Sequence, residues 1–299
     1  MKENKKNTSP ATDNNGIKFI QFRKKAFLLS LIFFSLSIFI IAFTKINWGI
    51  DFTGGTVAQI KFDKQINIED LRESMKSYNP TIQEFPKSFS YILKFSQSEE
   101  TQNLSEEVNK KLTADFHTSS PEIMRFEMVG PVVGKFLIKA ALYAFCGAIF
   151  GIILYVGLRF RGGIWGLAAV AALIHDVAIT FGILCFMKIS IDLIIITALL
   201  FIAGYSVNDT IVIYDRIREN LRRAERKNIS DIFNSSITQT LSRTLITSLT
   251  TELAIIPLFI FGGETIHSFS LALLLGIVIG TYSSIFIASP LVYIVIRKH

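Results

Sequence analysis

Long apolar runs separated by short charged segments make up most of this chain, and one polar stretch interrupts them. Six runs, at 26–43, 136–157, 164–186, 193–214, 244–261 and 269–296, approach or exceed the roughly 20 residues a helix needs to cross a bilayer. They predict a polytopic α-helical membrane protein with six transmembrane helices. Between the first two runs, residues 45–135 change period. Ala58, Ile60 and Phe62 step by two. Ile68, Leu71, Met75 and Tyr78 step by three and four after Asn67, a residue suited to capping a helix. Ile82 and Phe85 occupy a short stretch between prolines, and Phe89, Tyr91, Leu93 and Phe95 again step by two. Leu104, Val108, Leu112 and Phe116 step by four, and Met124, Phe126 and Met128 by two. The order is β-α-β-β-α-β, which predicts a small ferredoxin-like α+β domain between helices 1 and 2.

Charge orients this pattern. Basic residues gather before the first run (Lys2, Lys5, Lys6, Lys18, Arg23, Lys24, Lys25) and between the fourth and fifth (Arg216, Arg218, Arg222, Arg223, Arg226, Lys227). They also lie at Arg159 and Arg161 and at Arg297 and Lys298. Residues 45–135 instead hold 11 basic and 13 acidic side chains, a net of −2 in a chain of +7. The positive-inside rule then makes 1–25 a cytoplasmic basic tail, 26–44 the first span, 45–135 an exported domain and 136–299 a five-helix bundle with a cytoplasmic basic loop at 215–243. Both termini are cytoplasmic in this scheme. Residues 1–16 are polar enough to stay disordered. The excess positive charge is explained by topology and anionic lipid, without nucleic acid. No small-residue cleavage site follows the first run, which therefore reads as an uncleaved anchor.

The candidate chemistry lies inside the apolar runs. Asp209 falls within the fourth and Arg243 at the head of the fifth, where each charge costs roughly 2.5–3.5 kcal/mol at a membrane centre. Tyr205, Asn208, Asp209, Val212 and Arg216 share one helical face, and Thr240, Arg243, Thr244, Thr247 and Thr251 share another. The two stripes suit an ion relay, with Asn208, Tyr205, Thr244, Thr247 and Thr251 in support; a structural ion pair or snorkelling side chains would give the same spacing. His175 and Asp176 in the third run are either a proton relay or a helix-to-helix bond. Glu252 is a further intramembrane acid, read as a second titrating site or as a water-lined position. Small residues at Gly147 and Gly151, Ala168 and Ala172, and Gly276 and Gly280 mark expected helix contacts. Cys146 and Cys185 both lie in apolar runs, so no disulfide framework or thiolate metal site is indicated. No Walker A loop, H-E-x-x-H or G-x-S-x-G is found, so neither an enzyme active site nor a cofactor is expected.

Several blocks carry a resemblance. They are GIDFTGGT at 49–56, VGPVVG at 129–134, ALIHDV at 172–177, GYSVNDTIVIYDRIREN at 204–220 and SRTLITS at 242–248, with FGG at 261–263 leading into the 276–284 helix. Together they resemble the SecF family of the bacterial SecD–SecF protein-export complex, in the resistance-nodulation-division-like superfamily. The family pattern leads one to expect an apolar or small residue where Glu252 stands. The resemblance implies a subunit of the inner membrane that pairs with a SecD-like chain and works with the SecYEG channel on preproteins already pushed by the ATPase SecA. It also implies that an ion gradient supplies the energy, with the family's acid and arginine at Asp209 and Arg243. The remaining readings are half of a gradient-driven small-molecule or lipid exporter of the same superfamily, and a passive assembly subunit.

Overall fold

The computed structural model describes residues 17–85, 89–95, 104–117, 119–160, 163–223 and 228–297. The tail at 1–16 lies outside the described residues, as do Arg161, Arg226, Lys227 and Lys298. In chain order the helices are α1 (Arg23–Phe43), α2 (Ile50–Thr53), α3 (Ile68–Ser74), α4 (Leu104–Asp115), α5 (Pro131–Phe160), α6 (Gly163–Phe186), α7 (Leu193–Arg223), α8 (Ile229–Phe261), α9 (Glu264–Ser283) and α10 (Ser289–Ile296). The strands are β1 (Gly55–Lys61), β2 (Thr81–Phe85), β3 (Ser90–Phe95) and β4 (Glu122–Val129). The chain forms two compact units, one of residues 46–146 with 190–196 and one of the remainder.

In the sheet unit the strand order is β2-β3-β1-β4, antiparallel throughout, which is the expected ferredoxin-like arrangement. Asn67 caps α3, its side chain accepting from the Glu69 N–H at 3.0 Å. Ala58, Ile60, Phe62, Leu71, Met75, Tyr91, Leu93, Phe95, Leu104, Val108 and Leu112 form the core, so the alternation in β1 and β3 and the helical steps between strands do mark buried faces. The alternation in β4 does not. Ile60 pairs with Ile123 and Gln59 with Arg125, leaving Met124 as an extra residue at a bulge. Phe126 packs on the core as expected, joined by Ile123, while Met124 and Met128 are exposed. Phe89 also leaves the pattern, sitting at φ 51° in the turn before β3. Gly54 and Gly55 join α2 to β1 with φ 70° and 125°, and a Cβ on Gly55 would strike the Phe95 carbonyl oxygen.

Helices long and apolar enough to cross a membrane stand at all six expected places, with α5 and α7 each divided between the two units. A 3₁₀ turn (Phe19–Phe22) precedes α1, and a π-helical turn (Ser284–Ala288) joins α9 to α10. The π turn has local causes. Pro290 has no N–H to donate, and the Ser289 hydroxyl bonds back to the Ser284 carbonyl at 2.8 Å. Residues 215–243, expected as a loop, are helical through Arg223 and again from Ile229. Hydropathy falls there while helix-supporting pairs persist: Glu219 binds Arg216 at 2.5 Å and Arg223 at 2.8 Å, and Asn228 caps α8. Among the intended contact residues, Ala168 and Ala172 are buried, Gly276 packs on Ile202, and Gly280 faces Ser206. A Cβ on Gly147 or Gly151 would meet nothing within 4 Å among the described residues, so that small pair is open there.

Candidate functional site

The fourth span supplies polar groups to α6, to α8 and to the π turn. Asp209 on α7 is buried, at 2% exposure, and one of its oxygens accepts from the Ser248 hydroxyl on α8 at 3.5 Å. The Ser248 hydroxyl also lies 2.7 Å from the Thr281 hydroxyl on α9, itself 2.8 Å from the Ile277 carbonyl of its own helix, and the two hydroxyl protons serve two of these three contacts at a time. One turn away from Asp209, the Tyr205 hydroxyl donates to Thr251 at 3.3 Å. Asp209 thus faces a hydroxyl chain across three helices. Its single hydrogen bond among the described residues is near the outer limit of length, so it is weakly held.

Asp176 has the opposite surroundings. It is fully buried on α6 and accepts from Ser206 and Ser283, both at 2.6 Å, while its other oxygen lies 2.9 Å from His175 Nδ1. An Nδ1–H donor on His175 suits a carboxylate that already receives two hydroxyl protons. The His175 Nε2 is then buried with no hydrogen-bond partner among the described residues, its ring parallel to Phe34 at 6.3 Å. Beside this group the Thr210 and Ser284 hydroxyls share a hydrogen bond at 2.9 Å, and Ser284 also reaches the Ser206 carbonyl. The π turn is therefore tied to α7 by side chains at Ser206 and Thr210.

Some expected companions do not join. Arg243 is exposed on α8 and, among the described residues, forms no ion pair with Asp209, although their charges are close enough to interact. Asn208 is exposed as well, and among the described residues it makes no hydrogen bond to Asp209. A 100° step per residue puts Asn208 and Asp209 on adjoining faces, and the packed face is the one bearing Asp209. Thr247 and Thr251 donate back to carbonyls of α8, at 2.9 and 2.8 Å, while the buried Thr244 hydroxyl has no hydrogen-bond partner among the described residues. Glu252 is half-buried and unpaired among the described residues. Ser206, Thr210, Thr281, Ser283 and Ser284 complete the two networks. Only Ser283 and Ser284 carry a signal in the sequence, as they continue the spacing of Gly276 and Gly280 along the small-residue face of α9.

Comparison with known proteins places the whole arrangement. A family model described as protein export membrane protein SecD/SecF, C-terminal, matches residues 108–298, and one for the SecD/SecF GG motif matches residues 39–66. The protein translocase subunit SecF of Vibrio alginolyticus is 43% identical over 282 residues, covering 92% of this chain and 88% of that protein. Its counterpart in Haemophilus influenzae is 40% identical over 290 residues, 93% of this chain and 88% of that one. The crystal structure of SecDF, a translocon-associated membrane protein from Thermus thermophilus, matches with a TM-score of 0.86 at 32% identity over 96% of this chain. This chain spans 39% of that longer one. The hydroxyl networks around Asp176 and Asp209 thus sit in a chain that belongs to the SecF family of protein translocase subunits, multi-pass proteins of the bacterial inner membrane.

Proposed function

We propose that this subunit couples a transmembrane ion gradient, of protons or sodium, to late movement and release of preproteins through a SecYEG channel, together with a SecD-like partner. The observation that carries this reading is Asp209, a buried carboxylate on α7 with one long hydrogen bond and a hydroxyl chain beside it. Such a group can change protonation without dismantling a packed network. Moving one elementary charge through 100 mV releases about 2.3 kcal/mol, comparable to the few kcal/mol that separate two helix arrangements. Arg243 points away from this chain's own core, so its role is to meet the SecD-like subunit and bias Asp209 through space. The open faces of α5 and α8, with Gly147 and Gly151, suit the same partner.

In the orientation that goes with this reading both termini are cytoplasmic and the sheet unit is exported. A cysteine at Lys110, exposed on α4, is then labelled from outside intact cells by an impermeant thiol reagent, whereas one at Asn228 is not. The reverse pattern refutes the orientation. The function itself is tested with Asp209→Asn in membrane vesicles. The expected outcome is an assembled complex that has lost gradient-stimulated preprotein release. Full stimulation in the variant would sink the relay and leave the passive assembly subunit.

A further inference from the structure

The turn at 47–51 does more than lead the chain from α1 into the sheet. It is hydrogen-bonded to the segment between α6 and α7, within the same compact unit. The Gly49 N–H donates to the Ile191 carbonyl at 2.7 Å, and the Ile191 N–H donates to the Asn47 carbonyl at 2.8 Å, which makes a short parallel bridge between Trp48 and Ile191. Side chains reinforce it. Lys94 on β3, on the sheet face turned away from α3 and α4, donates to the Asn47 side-chain carbonyl at 3.1 Å and to the Ser190 hydroxyl at 2.7 Å. Asp51 accepts from the Leu193 N–H and Asp192 from the Ile195 N–H, both at 2.9 Å, so two carboxylates cap the first turn of α7.

Packing leaves this contact little freedom. A Cβ on Gly49 would meet the Asp192 Cβ at 2.9 Å and the Ile191 carbonyl at 3.0 Å, so only glycine allows the approach. Burial pushes the Lys94 ammonium below its usual range, partly offset by Asp192, and pushes the Asp192 carboxyl up. The groups are thus partly withdrawn from water, where charge-assisted hydrogen bonds are stronger than at an open surface.

We infer that Asn47, Asp51, Lys94, Ser190 and Asp192 form a clamp that ties the sheet domain to the start of α7, so that the domain and the helix bearing Asp209 move together. Residues 190–196 belong to the sheet unit and the rest of α7 to the other, so the helix itself runs from one to the other. Asp209 lies about 24 Å along that helix from Leu193. The chain's covalent connections run from α1 into the domain and from the domain into α5. The clamp adds an attachment to the helix where the charge changes. These are positioning residues, and the inference rests on the ion-coupled reading of Asp209.

The test uses the full chain in its complex, with Cys146→Ser and Cys185→Ala as background. In that background, Asn47→Cys with Ser190→Cys removes both acceptors of Lys94 and allows a covalent bond to replace them. Reduced vesicles are expected to lose gradient-stimulated release by about tenfold, within the ordinary range of coupling free energies, and oxidised vesicles to regain it. Lys94→Met is expected to show the reduced behaviour irrespective of oxidant while keeping gradient-driven ion flux and the co-purified partner subunit. Equal release from reduced and oxidised vesicles, or full release in Lys94→Met, overturns the clamp. Loss of ion flux together with release in Lys94→Met also overturns it, because an uncoupled complex must still pass ions. Asp209→Asn is measured alongside, and persistence of both flux and release there is the separate failure of the ion-coupled reading.

Discussion

Asp176 and Asp209 are both acids enclosed by membrane-spanning helices, yet their surroundings differ in the feature that matters for chemistry. Asp176 has donors at 2.6, 2.6 and 2.9 Å from three residues on α6, α7 and α9, whereas Asp209 has one at 3.5 Å from α8. A saturated carboxylate fixes the helices that donate to it. A carboxylate with one loose partner is free to exchange a proton or ion, because little else must rearrange. Burial is nearly equal at the two acids, at 0% and 2% exposure, so hydrogen bonding is what distinguishes their surroundings.

Removing each acid separates them most sharply. Asp176→Ala leaves Ser206, Ser283 and His175 without their acceptor, and loss of one partner from a buried charged network costs about 3–5 kcal/mol. The expected result is poor yield and a large fall in the unfolding midpoint of the purified complex. Asp209→Asn is expected to leave yield and midpoint close to the parent and to abolish gradient-stimulated release. Equal stability losses in the two variants would erase the distinction.

Arg243 gives the next largest effect. Arg243→Lys keeps a charge but loses the planar guanidinium, and Arg243→Met loses both. Since Arg243 makes no ion pair with Asp209 among the described residues, both changes are expected to reduce gradient-stimulated release several-fold at normal assembly. The double variant Asp209→Asn, Arg243→Met is expected to remain inactive. Recovery of release in it would mean that the two charges are only a matched structural pair.

Hydroxyl deletions should be milder and again unequal. Ser206→Ala and Ser283→Ala each remove a hydrogen bond to a charged group, worth about 1.5–3 kcal/mol. Their expected readout is the unfolding midpoint. Ser248→Ala removes the long contact to Asp209 and the 2.7 Å hydrogen bond to Thr281, so its stability loss should be about 0.5–1.5 kcal/mol. It should nonetheless lower release, because the link from Asp209 to Thr281 is cut. Tyr205→Phe should have the smallest effect, near the roughly 0.6 kcal/mol average for a side-chain hydrogen bond between membrane helices. A large drop in release from Tyr205→Phe would place Tyr205 and Thr251 in the ion path.

The residues that could be read in advance were those with local physical signals. Asp209 stood out as an acid within an apolar run, and β1, β3, α3 and α4 announced their buried faces by period. The partners of the acids were less visible. Ser206, Ser248, Ser283 and Thr281 are unremarkable in a membrane helix, where a hydroxyl satisfies itself on its own backbone as readily as on a neighbour. Helical spacing groups Asn208 and Arg243 with Asp209, but spacing fixes relative angle and leaves open which arc is packed within this chain. Met124 misled for another reason, since a bulge shifts the alternation by one residue and only the pairing with β1 reveals it.

The sequence by itself determined the six spans, the position and βαββαβ order of the sheet domain and the acids worth attention, because bilayer thickness, side-chain period and the cost of intramembrane charge act on residues near one another in the chain. Tertiary structure decided which acid is saturated, which helix faces stay open, and that the 47–51 turn grips the start of α7. Those outcomes depend on contacts between residues as distant as Asp51 and Leu193 or Asp176 and Ser283, and a hydrogen bond between such groups exists only once packing has brought them within about 3 Å.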